Sequence, residues 1–202
     1  MNLRNSHFEN FQLSLRLTLK RVFDIVAASV ALALLALPMT IVGIAVRTYD
    51  GGSIFYRQVR VGRGGRPFEI LKFRSMVTNA DKVGGYSTIP NDARITPVGR
   101  FIRRTSLDEL PQLFNVLRGD MSIVGPRPDV PAQHATYTPE QWELRHVVRP
   151  GITGLAQAVA RSAATPQERT ELDLTYVRTA SLAFDLKIIL MTVRHLLAGA
   201  SN

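Results

Sequence analysis

The sequence predicts an α/β protein, mainly helical with one small β-hairpin, held to a membrane as a monotopic protein by a re-entrant helix–break–helix. Three observations predict it. From Ile25 to Val46 the chain carries no charge over 22 residues, interrupted by Pro38. Two strand-like runs, Ser53–Arg60 and Pro67–Arg74, flank the glycine cluster Gly62-Arg63-Gly64-Gly65-Arg66. Most of the chain beyond Arg74 has helical spacing broken by Gly and Pro turns. The expected organisation is an amphipathic segment over 1–24, a re-entrant membrane helix over 25–46 and a folded domain outside the membrane over 47–202.

In chain order, Phe8, Phe11, Leu15, Leu19 and Val22 recur at helical spacing with Arg16, Lys20 and Arg21 between them. That pattern suits a basic amphipathic helix on a membrane or an ordinary surface helix. The apolar run after it is about 33 Å long as a straight helix, enough to cross a bilayer. It is too long for a signal peptide and lacks a small-residue cleavage site. Pro38 removes a backbone donor inside it. Lys20 and Arg21 precede the run, and Arg47, Arg57 and Arg60 come after it. Positive charge tends to stay on the cytoplasmic side, so basic flanks at both ends favour entry and return over a tilted single crossing.

After the turn Tyr49-Asp50-Gly51-Gly52, the two strand-like runs read as a hairpin around the glycine cluster, whose arginines can face lipid phosphates. The cluster matches neither the dinucleotide fingerprint nor the phosphate-binding P-loop. Thr78–Asp92 is polar and reads as a loop. Leu107–Leu117 reads as a helix, capped by Ser106 or Asp108 and ended by Gly119. Two prolines brace Arg127 in Gly125-Pro126-Arg127-Pro128, which suits bidentate phosphate recognition as well as an exposed rigid turn. Pro139–Val148, Pro166–Val177 and Ser181–Ala198 read as helices, the last packed on the core or lying at the membrane interface.

Composition limits the chemistry. The chain has 202 residues, a formal net charge of +9 and a mean hydropathy of +0.04. Between Arg57 and Arg104 lie eleven Lys and Arg against three acids, Glu69, Asp81 and Asp92, so almost all the net charge sits there. Such a chain meets an anionic partner, whether membrane, nucleic acid or phosphorylated substrate. The absence of cysteine excludes disulfides, thiolate metal sites and cysteine nucleophiles. The four histidines, His7, His134, His146 and His195, lack metal-ligand spacing, and no nucleophile-elbow serine is present. A nucleic-acid binder is disfavoured by the apolar run and by the few aromatics in the basic stretch.

The carboxylate pair Asp108-Glu109 comes directly after that basic stretch. In isolation Ser106-Leu107-Asp108-Glu109 is a capping box that complements a helix dipole. In this company it can also do chemistry. An ionised Asp108 is a competent nucleophile toward phosphorus, and Glu109 can help to hold Mg2+ on diphosphate oxygens. Adjacent acids cannot flank a glycosidic bond, which argues against a glycosidase.

An ordered set of motifs runs along the chain. It comprises Lys20-Arg21-Val22-Phe23-Asp24, Gly52-Ser53-Ile54-Phe55 with Gln58 and Arg60, Lys72-Phe73-Arg74-Ser75-Met76, and Ser106–Leu113. Gly119-Asp120-Met121-Ser122, Val124-Gly125-Pro126-Arg127-Pro128 and Arg149-Pro150-Gly151-Ile152-Thr153-Gly154 complete it. With these, the chain resembles the bacterial sugar transferase family, the monotopic phosphoglycosyl transferases, from Lys20 to Val193.

The resemblance implies an enzyme of the bacterial inner membrane with its catalytic domain in the cytoplasm. Such an enzyme moves a sugar-1-phosphate from a UDP-sugar to polyprenyl (undecaprenyl) phosphate with Mg2+, starting a glycan or glycoconjugate. It further implies Asp108 as the nucleophile of a phosphosugar–enzyme intermediate that releases UMP, and Glu109 as metal support. Lys72, Arg74, Arg103 and Arg127 fall on basic active-site positions, and Asp173 matches a further acid. The anionic bilayer is a partner and nucleic acid is not; oligomeric state is not legible. A non-catalytic basic membrane-surface module that recruits partners is the rival reading, with Asp108 and Glu109 only a helix cap. The chain departs from the family pattern at Leu37, where a serine commonly precedes the proline and Ser29 or Thr40 are candidate substitutes. It departs again at Leu155–Ala160, which lacks the usual tryptophan and Asn-Gly step.

Overall fold

A single helix, α1, runs from Leu3 to Asp50 and contains Pro38. It belongs to a computed structural model that describes residues 3–80, 89, 92–160 and 164–199, with side chains from 17 to 195 of these. The expected break at Pro38 is not there as a gap between two helices. Proline removes one i→i−4 bond and constrains the preceding turn, and a long helix packed on both sides of it can absorb that loss. The carbonyl freed by Pro38 is that of Leu34. Thr40 Oγ1 donates instead to Ala36 O at 2.8 Å, so it does not fill the place of the missing donor.

Both halves of α1 pack on the same globular body. Ala28 joins Ile70, Leu113, Val116 and Met121 in one core cluster. Met39, Val42 and Val46 join Phe73 and Ile102 in a second. Polar anchors hold both ends of this stretch. At one end Lys20 Nζ lies 2.8 Å from buried Asp185, and Arg21 donates to Val116 O and Leu117 O at 2.6 and 2.9 Å. At the other, Arg74 Nη1 donates to Asp50 Oδ2 at 2.6 Å. The opposite face of α1 is bare hydrocarbon: Val26, Val30, Leu34, Leu37, Ile41 and Ile44 are all more than half exposed.

Strands β1 (Phe55–Val61) and β2 (Pro67–Phe73) form the expected antiparallel hairpin, with Tyr56 opposite Lys72. Its turn, Arg63–Gly65, needs positive φ at Gly64 and Gly65, which is why glycines occupy it. Helix α2 (Pro97–Arg104) starts on a Thr96 cap that accepts from Gly99 N at 2.8 Å. Helix α3 (Gln112–Arg118) docks on the free edge of β2 through Asn115. Its side-chain oxygen accepts from Leu71 N at 2.9 Å and its amide donates to Glu69 O at 2.7 Å, as a neighbouring strand would. Gly119, at φ 95°, ends α3 as expected.

The stretches around Gly125 and Gly151, given no strand by the sequence, contain a short parallel pair, β3 (Ser122–Val124) and β4 (Gly151–Thr153). Their close approach explains the glycines. A Cβ on Gly151 would lie 2.1 Å from Gly125 N, and one on Gly125 2.4 Å from Arg149 O. Helices α4 (Pro139–Arg145), α6 (Pro166–Thr179) and α7 (Leu182–Gly199) match the predicted segments within a few residues. Helix α5 (Leu155–Ala160) was not predicted. It occupies the stretch that lacks the Asn-Gly step, and Leu155 and Ala158 fill a third core cluster with Val124, Tyr176 and Ile188. Most of the predicted 78–92 loop, from 81 to 88 with 90 and 91, lies outside the described residues.

Candidate active site

Asp108 and Glu109 do not start a helix. They lie in a 3₁₀ turn, Leu107–Glu109, between α2 and α3. Ser106, before the turn, is left-handed at φ 58° and makes no side-chain cap bond, so the capping-box reading fails. A left-handed non-glycine residue is strained, and such strain persists where the surroundings over-determine it. Leu107 and Leu110 supply that constraint by packing against the cluster built from α1, β2 and α2. The apolar helix thus helps to set the turn that carries the acids.

Glu109 faces two cations. Its Oε1 accepts from Lys72 Nζ at 2.7 Å and from Arg127 Nη2 at 2.9 Å. Burial alone would raise its pKa, but Arg127 and Lys72 outweigh burial and pull it down to about 2. Asp108 is 8% exposed. Burial raises its pKa, with Glu109 adding and Lys72, Arg103 and Arg127 opposing. Two adjacent carboxylates are therefore pushed in opposite directions, a sign of divided roles. Burial also lowers the pKa of Lys72, against the pull of Glu109. The positive potential at Asp108 comes from side chains rather than from the helix terminus that the sequence suggested.

Arg127 is half exposed and points at Glu109 from a loop fixed on several sides. Gly151 N donates to Pro126 O, Arg60 Nη1 to Pro128 O, and Val61 N to Asp129 O, all at 2.9 Å. From behind, Arg145 Nη2 donates to Arg127 O at 2.9 Å. Asp173 belongs to that rear layer. It is buried and pairs with Arg145 at 2.7 Å, so it reaches the site only through Arg145. Arg145 also pairs with buried Asp129. Arg74 is likewise elsewhere: it is buried at the end of α1 on Asp50 and on Ser53 O. Of the predicted binding residues, Lys72 and Arg127 touch Glu109, Arg103 acts on Asp108 through its field, and Arg74 and Asp173 lie away from the acid pair on Asp50 and Arg145.

Sequence reasoning gave Tyr56 no role and used Arg60 only as a basic flank and motif position, not as a site residue. Both lie on the inward face of β1, and the charges of Arg127 and Glu109 act on Arg60. Buried Arg60 Nε has no hydrogen-bond partner among the described residues. The alternation Tyr56, Gln58, Arg60 was the available signal.

Among the described residues, no three His, Asp or Glu side chains gather as a metal cage. Mg2+ commonly takes one or two protein carboxylates and completes its shell with substrate phosphates and water. Asp108 and Glu109 fit that need.

The family model for bacterial sugar transferases matches residues 15–199. A UDP-glucose:undecaprenyl-phosphate glucose-1-phosphate transferase of Klebsiella pneumoniae is 44% identical over 188 residues, covering 89% of this chain and 40% of that protein. A UDP-N-acetylgalactosamine-undecaprenyl-phosphate N-acetylgalactosaminephosphotransferase of Aeromonas hydrophila is 40% identical over 186 residues, 90% of this chain and 44% of that protein. The uncharacterized sugar transferase EpsL of Bacillus subtilis is 44% identical over 181 residues, 90% of this chain and 88% of that protein. The chain thus spans about two fifths of the length of the first two relatives and most of the third. With the match running over nearly its whole length, the chain belongs to the bacterial sugar transferase family.

Proposed function

We propose that this chain transfers a sugar-1-phosphate from a UDP-sugar to undecaprenyl phosphate through a covalent intermediate on Asp108. The observation that carries the reading is the split pair: Glu109 is committed to Lys72 and Arg127, while Asp108 is a buried carboxylate of raised pKa in the same cationic field. A carboxylate of higher pKa is the better nucleophile once ionised. An Asp108 oxygen attacks the phosphorus that bears the sugar. The bond from that phosphorus to the oxygen bridging to the other phosphate breaks, and UMP leaves with that oxygen. A phosphate oxygen of undecaprenyl phosphate then attacks the same phosphorus, the Asp108–phosphorus bond breaks, and undecaprenyl diphosphosugar leaves with Asp108 restored. Lys72, Arg103 and Arg127 stabilise charge on the phosphoryl oxygens. Asp108 and Glu109 would hold Mg2+, which would supply Lewis-acid neutralisation of the diphosphate. Relatives named for UDP-glucose and UDP-N-acetylgalactosamine support a UDP-sugar donor.

We also infer that residues 25–46 enter the inner membrane from the cytoplasmic side and return to it, leaving 47–202 in the cytoplasm. Support comes from the anchors at Lys20–Asp185 and Asp50–Arg74, which tie both ends of the apolar stretch to one body while its far face stays exposed. The chain lacks cysteine, so single cysteines placed at each end can be labelled cleanly. Both should react only from the cytoplasmic side; labelling on opposite sides means a crossing. For the chemistry, UMP release from UDP-sugar and undecaprenyl phosphate should require Mg2+ and fall about 10³-fold or more in Asp108→Asn. Activity retained in that variant rules out the nucleophile.

A further inference from the structure

At the far end of the hairpin from the acid pair lies a second basic site. Arg66 is six residues from Lys72 along β2, about 20 Å at 3.3 Å per residue. A cleft of about 580 Å3 opens there, lined by Arg63, Gly64, Arg66, Gly119, Asp120 and Arg149 among others. Arg21 of α1 adjoins it: a Cβ on Gly119 would lie 3.5 Å from Arg21 Nη2. Three separate segments thus bring four guanidinium groups to one place, against the carboxylate of Asp120 in the lining and that of buried Asp24 behind it.

Part of this has a structural explanation. Arg21 caps the end of α3, Arg149 Nε donates to Gly119 O at 2.8 Å, and Arg63 Nε donates to Val147 O at 3.0 Å. All these acceptors are neutral carbonyls, so none of these bonds cancels a charge, and the buried carboxylate of Asp24 acts on Arg149 only through its field. None of the four arginines has an acidic partner within ion-pair distance among the described residues. Asp120 is already engaged by Asn115 Nδ2 at 3.2 Å. Besides burial, the charges of Arg21 and Arg63 lower the pKa of Arg149, so the cluster repels itself. Arg66 caps nothing. It is exposed, and among the described residues its side chain has neither a hydrogen bond nor an ion pair.

We propose that this cleft binds a phosphate oxyanion, with the headgroup of an anionic phospholipid as its natural bearer. Guanidinium forks match phosphate geometry, and several cations around one concavity exceed what helix capping requires. Position favours a lipid bearer. Arg21 precedes Ile25, where the charge-free run begins, by about 6 Å of helix. If residues 25–46 are embedded as proposed above, the cleft lies at the level of the headgroup phosphates. A lipid seated there pins the hairpin tip to the membrane while the acid pair works at the other end of the hairpin.

The test titrates the full chain in detergent micelles with fluorescent phosphatidylglycerol, with phosphatidylcholine as the neutral reference and inorganic phosphate and glycerol phosphate as soluble competitors. Arg66→Gln should weaken phosphatidylglycerol binding about fivefold, and Arg63→Gln with Arg66→Gln about thirtyfold, leaving phosphatidylcholine uptake unchanged. Loss of binding without displacement by the soluble anions assigns the cleft to a lipid headgroup. Loss with displacement supports a phosphate site open to free and lipid-borne anions alike. The proposal is overturned if wild type does not prefer phosphatidylglycerol, or if the folded Arg66→Gln chain keeps its full affinity. The Arg66 side chain makes no structural bond, and its backbone carbonyl still accepts from Gly62 N in the variant, so Arg66→Gln remains informative if the double variant fails to fold. Because the readout is binding, it stays separate from any failure of the transfer reaction.

Discussion

Two arginine–carboxylate clusters lie back to back across the loop that carries Arg127, and they differ in exposure. In the front cluster Arg127 is 50% exposed and Glu109 20%, with Lys72 beside them. In the rear cluster Arg145 is 5% exposed and pairs with Asp129 and Asp173, which are as deeply buried. The front cations outweigh burial and pull Glu109 down to about 2, whereas burial raises Asp173 despite Arg145. A similar set of groups therefore forms a solvent-facing surface, the proposed reaction site, on one side and a buried strut on the other. The strut meets the surface at one bond, Arg145 Nη2 to Arg127 O.

Removing the strut has the largest expected effect on folding. Arg145→Leu leaves Asp129 and Asp173 buried without their cation and should cost about 3–5 kcal/mol, read as a fall in thermal midpoint. A near-neutral result would mean that the rear cluster is not the support of the loop. Glu109→Gln belongs to the front cluster, so it should lower transfer about 10²-fold while the protein remains folded at neutral pH.

The same variant has a pH signature. Glu109 is depressed from 4.5 to about 2, so its ion pairs stabilise the fold above pH 4.5, and that contribution fades as pH falls toward 2. Acid unfolding profiles of wild type and Glu109→Gln should converge toward pH 2; parallel profiles would place the ion pairs outside the folded state. The smallest change is Arg127→Lys. It keeps the charge but loses the fork, and should reduce transfer about tenfold with the thermal midpoint unmoved. A large drop in midpoint would move Arg127 from surface to strut.

Much of this was legible in the sequence wherever one segment decides the outcome. The hairpin, the glycine stop after α3, the last helices and the pairing of Asp108-Glu109 with Lys72 and Arg127 came from local pattern or motif. Contacts between distant segments escaped it. Arg74 and Asp173 have the residue types of an active site, but their partners, Asp50 and Arg145, lie 24 and 28 positions away. The β3–β4 pairing needs two three-residue stretches to meet, too short for a strand signal. The capping box failed because Ser106 turns left-handed, a conformation no spacing rule announces. Pro38 signalled a break, and α1 runs through it as one helix that packs on the same body on both sides of the proline.

The central claim is that Asp108, and not the acid beside it, takes the phosphosugar. The protein mixed with Mg2+ and a UDP-sugar in the absence of undecaprenyl phosphate, quenched in acid and digested, should yield one peptide heavier by a sugar phosphate. Fragmentation should place that mass on Asp108, with UMP released in equal amount, and added undecaprenyl phosphate should discharge it. A sugar phosphate on Glu109, or full transfer in a protein that never carries the added mass, would contradict the account.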